Sequence, residues 1–402
     1  MNTTEIKSVT PEVTWVGVWD FDIRTFDVVM ETKYGTTYNS YLIKAEKIAL
    51  VETAKATFWD TYIAKIKQVC DPKDIAYIIV DHTEPDHSGS LVKLLDLAPN
   101  AVVVGSPVAL RYLAEITNRE FKSLAVKDGD TLSLGNKTLE FINAPNLHWP
   151  DSIYTYLRED KVLFTCDSFG AHFCHKEMFD DLVGDYEDAF KFYYTAILRP
   201  FSRFFLKAIA KVKTMDIAAI CPGHGPILRS DWKRYVELSE KMSQEYVQLP
   251  QARRVFVGYV SAYGYTAQLA EKIGEGLSSC GLEVDLCDIE KMPVEELGMR
   301  IEQANGYVFG SSTINQNALP QIYTCFALLS PIRDRAKMAG AFGSYGWSGE
   351  TRSIIEANIQ TLKLNFVGDS YFIKFKPSQA ELKGAFEYGC NFGEKMLAQV
   401  HG

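Results

Sequence analysis

Between Ile78 and Ser90 the chain reads IIVDHTEPDHSGS, and Asp81, His82, Glu84, Asp86 and His87 fall within seven residues. Asp and His are common at strand ends and turns. Five ionisable groups this close, however, repel or desolvate one another unless a strong positive partner joins them. A divalent metal is such a partner, so His82, Glu84, Asp86 and His87 read as ligands. Three further apolar runs end in ligand-type residues: TLEFINAPNLHWPDS delivers His148, KVLFTCDSFG delivers Asp167 and IAAICPGHGP delivers His224. Four His, two Asp and one Glu exceed what one tetrahedral zinc takes. The set suits two metals about 3.5–4 Å apart that share a carboxylate. Imidazole and carboxylate without thiolate leave non-haem iron, manganese and zinc open. Cys166 and Cys221 read as core, Cys166 because adjacent residues on a strand point to opposite faces. His172 and His175, in GAHFCHKE, read as polar surface.

A second set of loops lies nearer the C-terminus. YVSAYGYTAQ places Ser261, Tyr263, Gly264, Tyr265 and Thr266 between a strand and a helix. Backbone N–H groups, hydroxyls and the helix N-terminus there can cradle a phosphate. The loop has neither GxGxxG nor the Walker lysine, and alone it reads as a cap and a turn. SSTINQN adds Ser311, Thr313, Ile314, Asn315, Gln316 and Asn317; GSYGWSGE adds Ser344, Tyr345, Gly346, Trp347, Ser348 and Gly349. Both follow the next parallel strands, where ligands of such sheets bind. Tyr345 and Trp347 can flank a flat ring, and Asn315 and Asn317 can bond its polar edge. A tryptophan in a Gly-rich loop calls for cover, by a ligand or by a dimer contact.

Two kinds of scaffold are needed to hold these residues. From Val13 to about Pro250 short β-branched or aromatic runs (YNSYLI, KIALVET, IAYIIV, AVVVGS, TLEFINA) alternate with turns. The span from Asp180 to Met242 is more helical. Residues 243–255, SQEYVQLPQARRV, read as a linker. After it, strand, loop and helix alternate, with Leu269, Ala270, Ile273 and Leu277 as one helix's buried stripe. That rhythm predicts a doubly wound parallel sheet. The expected domains are 1–250 and 251–402.

Composition narrows the function classes. The 402 residues are 47% hydrophobic and 23% charged, enough apolar material for two soluble cores. A net charge of −9 without a Lys/Arg-rich run argues against a nucleic-acid partner. No apolar run nears the roughly 20 residues of a membrane span, and no signal peptide opens the sequence. Eight scattered cysteines without a CxxC pair exclude a disulfide framework, a zinc ribbon and a rubredoxin-type iron site. A cytoplasmic location is expected.

The order H-x-E-x-D-H, His, Asp, Gly-His-Gly resembles the metallo-β-lactamase superfamily. Its hydrolases usually carry His where this chain has Glu84. Glu84, HWPDS and a flavodoxin-like C-terminal part together resemble the flavodiiron proteins over essentially the whole chain. The resemblance implies an αββα sandwich followed by a flavodoxin-like sheet, two irons per chain, and FMN in the three later loops. It places His82, Glu84 and His148 on one iron and Asp86, His87 and His224 on the other, with Asp167 bridging. His87 is not engaged in every family member. A carboxylate in place of imidazole makes the site harder and favours iron over zinc. The resemblance also gives Tyr193 a hydrogen-bonding or proton-donating place, whereas helix spacing equally makes Tyr193 and Tyr194 core.

Dioxygen reduction to water, nitric oxide reduction to nitrous oxide, or both, is the implied activity. A head-to-tail homodimer, or a tetramer of such pairs, would bring each flavin to its partner's irons, with Trp149 and Trp347 near that junction. No rubredoxin or flavin-reductase segment follows, so a separate donor is expected: rubredoxin, or a reduced deazaflavin coenzyme in a methanogen. Asp27 stands where many relatives carry His, in a loop expected to overhang the metals, which leaves the preference between O2 and NO open. The competing readings are a zinc hydrolase fused to a flavodoxin, a bare electron carrier and a gas sensor. Glu84, the complete ligand set and the lack of a signalling segment argue against them in turn.

Overall fold

The computed structural model describes residues 3–27, 30–248 and 253–399. The chain divides into two compact units, Met1–Gln248 and Leu249–Gly402. Among the described residues, no helix is long and apolar enough to cross a membrane.

The first unit holds a seven-stranded and a five-stranded sheet. In the larger sheet, Val13–Trp15, Tyr41–Ile43 and Ile48–Val51 pair antiparallel, and Ile75–Ile79, Val102–Gly105 and Ser123–Ala125 continue it in parallel. The smaller runs Thr131–Ser133, Thr138–Asn143, Ile153–Leu157, Val162–Cys166, Ala219–Pro222, and only its last pair is parallel.

Period-two alternation explains how these sheets are sandwiched. Val51, Ile79 and Val104 point into a core shared with Phe141, Phe164 and Cys221 of the other sheet. Their neighbours Leu50, Ile78 and Val103 point outward, against Tyr62 and Ile66 of helix Trp59–Val69 and Leu113 of helix Pro107–Thr117. On the far side, Leu163 and Ile220 pack under helices Glu187–Tyr193, Ser202–Val212 and Trp232–Gln248. Both faces of each sheet are therefore apolar, giving the expected αββα sandwich.

The second unit is a parallel sheet in the order Glu283–Asp288, Arg254–Val260, Gly306–Ile314, Met338–Tyr345, with Asn365–Phe366 and Tyr371–Lys374 both on the last edge. Leu269, Ala270, Ile273 and Leu277 of helix Tyr265–Ser279 are fully buried on one face, together with helix Gln379–Gln399. Leu297, Ile322 and Ile355, from three other helices, cover the opposite face. This is the doubly wound flavodoxin-like order.

The linker reading of 243–255 needs correction. Helix Trp232–Gln248 runs through its first six residues, strand Arg254–Val260 takes in its last two, and 249–252 lie outside the described residues. Val236, Ser239 and Ser243 make a buried stripe at helical spacing, and the Tyr194 hydroxyl bonds Ser243 Oγ at 3.1 Å. Small polar residues on a buried face look like a loop in composition but pack like a helix.

Candidate metal centre and flavin cleft

Every residue of the first constellation lies just beyond the carboxyl end of a strand. His82 and Glu84 sit in the turn after Ile75–Ile79, and the short helix Pro85–Ser88, with Pro at its first position, carries Asp86 and His87. His148 lies in the loop after Thr138–Asn143, Asp167 directly follows Val162–Cys166, and His224 follows Ala219–Pro222. Gly223 lets that last loop approach: a Cβ there would lie 2.6 Å from His87 Cε1. Gly225 turns the chain at φ +76°, which favours glycine.

The structure gathers all seven side chains into two groups around Asp167. Glu84 Oε2 is 3.2 Å from His82 Nε2 and 3.0 Å from His148 Nε2, and Asp167 Oδ2 is 3.6 and 3.3 Å from the same nitrogens. Asp86 Oδ2 is 3.5 Å from His87 Nε2 and 3.1 Å from His224 Nε2, and Asp167 Oδ1 is 3.2 and 3.4 Å from them. The two oxygens of one carboxylate thus face two separate donor sets.

Outer contacts aim these rings. His224 Nδ1 is 2.6 Å from the Thr37 carbonyl oxygen, so it donates there and leaves Nε2 with its lone pair. His82 Nδ1 is 3.3 Å from Asp151 Oδ2, which also accepts from the Thr83 amide and hydroxyl at 2.8 Å each. Glu52 Oε1 accepts from the Asp81 and His82 amides at 2.6 and 3.1 Å and ties down the start of the turn. Burial lowers the basicity of His82, His87 and His148, but the surrounding carboxylates more than reverse this and raise each pKa to about 10. Burial likewise raises Asp86 and Asp167, and the imidazoles, His87 foremost, pull both below the usual carboxylate range. The carboxylates and imidazoles thus hold one another charged.

The first unit also corrects the reading of His172 and shows where Cys166 and Tyr193 lie. His172 is buried, not surface: its Nδ1 is 2.8 Å from Thr36 Oγ1 and its ring lies 5.3 Å from that of His224. His175 is half-buried. Cys166 is buried, yet its Sγ lies 3.7 Å from His87 Nδ1, because Cys166 has φ +47° and the pairing slips between Phe164 and Cys166. Alternation of faces fails at such an irregularity. Tyr193 is buried beside the cluster and donates to Asp167 Oδ1 at 3.0 Å. Phe26 packs 4.5 Å from His172 and 5.5 Å from His224, and Asp27 beside it is raised to about 6 by partial desolvation and then by Glu84. The Trp149 ring is 5.2 Å from that of His82. Glu52, Asp151, Thr36 and Thr37 were not singled out from the sequence; the one local signal was Asp151, inside HWPDS.

In the second unit a cleft of about 280 Å³ opens at the carboxyl ends of three strands. Tyr263, Tyr265, Thr313, Ile314, Asn315, Gln316, Ser344, Tyr345, Gly346, Trp347 and Ser348 line it, as do Ser312 and Phe375, which the sequence reading did not name. Thr266 Oγ1 lies behind the wall, 3.0 Å from Ser312 Oγ and 2.9 Å from Ser344 Oγ, and braces the three loops together. Ser261 Oγ accepts from the Ala267 amide at 3.1 Å, and Gly264 turns at φ +80° to start the helix. Ser311 Oγ accepts from the Leu319 amide, and Asn317 Oδ1 from the Ala318 amide and the Tyr323 hydroxyl. Gly349 lies against the Tyr345 ring. Ser261, Gly264, Thr266, Ser311, Asn317 and Gly349 therefore shape the loops without lining the cleft.

Comparison with known proteins agrees with both halves. The ODP family beta lactamase matches residues 36–225 and Flavodoxin matches 257–389. The chain is 39% identical over 394 residues to Flavo-diiron protein FprA2 of Clostridium acetobutylicum, covering 95% of this chain and 97% of that one. It is 38% identical over 402 residues to Type A flavoprotein fprA of Rhodobacter capsulatus, covering 98% and 92%. The chain belongs to the flavodiiron proteins. Among solved structures, rubredoxin oxygen:oxidoreductase from Desulfovibrio gigas superposes with a TM-score of 0.71 at 27% identity, over 99% of this chain and 100% of that one.

In flavodiiron proteins, which are oxidoreductases, the flavodoxin domain binds FMN and the β-lactamase-like domain forms a diiron site. The residues present here fit both groups. Asp86 Oδ1 is buried without a hydrogen-bond partner among the described residues, and the converging donors are hard nitrogens and oxygens. At the cleft, Tyr263 and Trp347 are 80% and 77% exposed, apolar surface that a flat ring covers.

Proposed function

We propose that this chain reduces dioxygen to water, nitric oxide to nitrous oxide, or both, at an iron pair in residues 1–250, with electrons relayed through FMN in residues 251–402. The observation that carries this reading is Asp167, whose two oxygens face two separate donor sets. When bound, two irons and FMN supply Lewis acidity and the four electrons that one dioxygen requires.

The protein's part is to hold and to exclude. His82, Glu84 and His148 would hold one metal and Asp86, His87 and His224 the other, with Asp167 available to both. The Thr37 carbonyl and Asp151 fix the imidazoles with Nε2 inward. Tyr193 donates to Asp167 and restrains the bridge. Phe26 and Trp149 wall the pocket with apolar rings, which keeps bulk water from the reacting oxygen or nitrogen atoms. In the cleft, the Tyr263–Thr266 loop takes the phosphate, while Tyr345 and Trp347 flank the ring.

Electrons come from a separate cytoplasmic donor, rubredoxin or a reduced deazaflavin coenzyme. The Desulfovibrio gigas relative, a rubredoxin oxygen:oxidoreductase, supports rubredoxin and oxygen. A head-to-tail homodimer, alone or paired into a tetramer, joins each flavin to its partner's metals.

The test is anaerobic. The purified protein is assayed for iron and flavin, reduced chemically, and given O2 or NO in separate single turnovers. Rapid reoxidation yielding water or nitrous oxide, with about two irons per chain, is the expected result and ranks the substrates. Zinc in place of iron, with reoxidation no faster than that of free FMN, overturns the reading in favour of a hydrolase. Glu84→His is expected to shift metal preference toward zinc and suppress the reductase; a variant that keeps iron and full turnover removes Glu84 as the determinant.

A further inference from the structure

Helices Tyr265–Ser279 and Gln379–Gln399 lie side by side on one face of the second unit's sheet. Glycines permit a close approach: a Cβ at Gly276 would lie 2.9 Å from the Cys390 nitrogen, and one at Gly393 would lie 3.1 Å from both Cβ and Sγ of Cys280. Two cysteines meet at this seam. Cys280 Sγ is 3.5 Å from the Cys390 carbonyl oxygen. Cys390 Sγ is 3.5 Å from the Gly276 carbonyl oxygen and 3.4 Å from Ser279 Oγ.

The pair differs from the protein's other thiols. Cys166, Cys174, Cys221, Cys287 and Cys325 are buried, whereas Cys280 and Cys390 are half-buried and open to small solutes. Cys70 is also half-buried, but it belongs to the other unit and sits beside Asp71 and Asp74. Burial, and then the Cys390 thiol, raise the Cys280 pKa, so Cys280 is a slow nucleophile and the site answers to peroxide rather than to weak oxidants. Once one sulfur is oxidised, a second thiol already in place captures it before further oxidation.

We infer that Cys280 and Cys390 form a reversible dithiol–disulfide site that hydrogen peroxide closes. One thiol attacks the peroxide, its sulfur is oxidised to sulfenic acid, and the O–O bond breaks to release one water. The facing thiol then attacks that sulfur, the S–S bond forms, and the sulfenic oxygen leaves as a second water. Two thiol protons and two electrons thus pass to the peroxide. The bridge fastens the far end of the helix whose first residue, Tyr265, lines the flavin cleft. A dithiol reductant reopens it by exchange.

The test uses the full-length protein with iron and FMN in their oxidised state, its thiols reduced and the reductant removed. After brief exposure to hydrogen peroxide and quenching with catalase, free thiols are alkylated and the protein is digested for mass spectrometry. The expected result is a peptide joining Cys280 to Cys390, loss of both from the alkylated pool, and full recovery with dithiothreitol, while Cys70 stays alkylated. Cys280→Ser and Cys390→Ser each abolish that peptide and leave the remaining cysteine as a trapped sulfenic acid. Both cysteines still alkylated, or separate sulfinic acids on the two in place of a bridge, overturns the inference.

Discussion

Asp167 and Trp347 typify the two sites: one is 2% exposed and the other 77%. The metal pocket is closed and dense in charge, and its geometry is set before any ligand arrives. Strand ends fix the donors, and carbonyls and carboxylates behind them fix the imidazole tautomers. The flavin cleft is open, made of hydroxyls and aromatic rings on loops, and its apolar surface faces solvent until a ring covers it. A small hard cation has no shape to read, so the protein must supply the whole coordination geometry. A large planar cofactor brings its own shape and surface, so loops suffice.

The sharpest way to break this comparison is at Asp167. Asp167→Ala removes the carboxylate that both donor sets share. Bound iron is expected to fall from about two per chain to near none, with reductase activity lost and FMN content unchanged. Metal and flavin analysis on one sample checks this. One retained iron would mean that the two donor sets are independent pockets rather than one centre.

A smaller effect is expected one contact further out. Asp151→Ala leaves the seven inward donors in place but frees His82 Nδ1 and the Thr83 amide. Metal affinity is expected to fall about 10–100-fold, read by competition with a chelator, and FMN affinity should not change. Unchanged metal affinity would show that strand-end geometry alone orients His82.

The flavin cleft should respond more gently, because many side chains share its surface. Trp347→Ala is expected to weaken FMN binding by about 3–10-fold, measured by flavin fluorescence titration, without altering iron content. A complete loss of FMN would mean that one ring holds the cofactor and that the cleft is less distributed than its lining suggests.

The two sites were also unequally legible in the sequence. The seven inward donors sit within a few residues of recognisable strand ends, so local pattern was enough to find them. Thr37 and Glu52 were invisible because their roles come from tertiary contact: Thr37 meets His224 across 187 residues. His172 was misread because the polar His175, Lys176 and Glu177 that follow it suggested a surface turn, and its burial comes from the distant Phe26, Tyr193 and His224 rings. At the cleft the three loops were legible, but not which residues line it. Thr266 and Ser311 turned inward to brace the loops, while Phe375, on a strand end with no motif, lines the wall. Helix Trp232–Gln248 was cut short at Met242 because the polar run from Ser243 toward Pro250 has the composition of a loop.

The smallest expected effect on either site comes from a buried lysine with no salt bridge among the described residues, and it separates burial from metal binding. Lys65 is fully buried in the first unit, where its ammonium lies 4.1 Å from the Trp15 ring and 3.9 Å from the Trp19 ring. It donates to the Gly17 carbonyl oxygen at 2.6 Å. Burial outweighs the help of Glu5 and lowers its pKa from 10.5 to about 7. Between those two values the unfolded chain holds a proton that the folded one has released, so stability rises with pH across that window and falls as pH drops toward 7. The slope is at most about 1.4 kcal/mol per pH unit. Lys65→Met keeps the apolar stem between the tryptophans and removes the proton. Its denaturation curves at pH 7, 8 and 9 should lose that slope relative to the parent, with iron and FMN contents unchanged. Parallel pH profiles would mean that the two indole faces, with Glu5, hold the ammonium charged inside the fold.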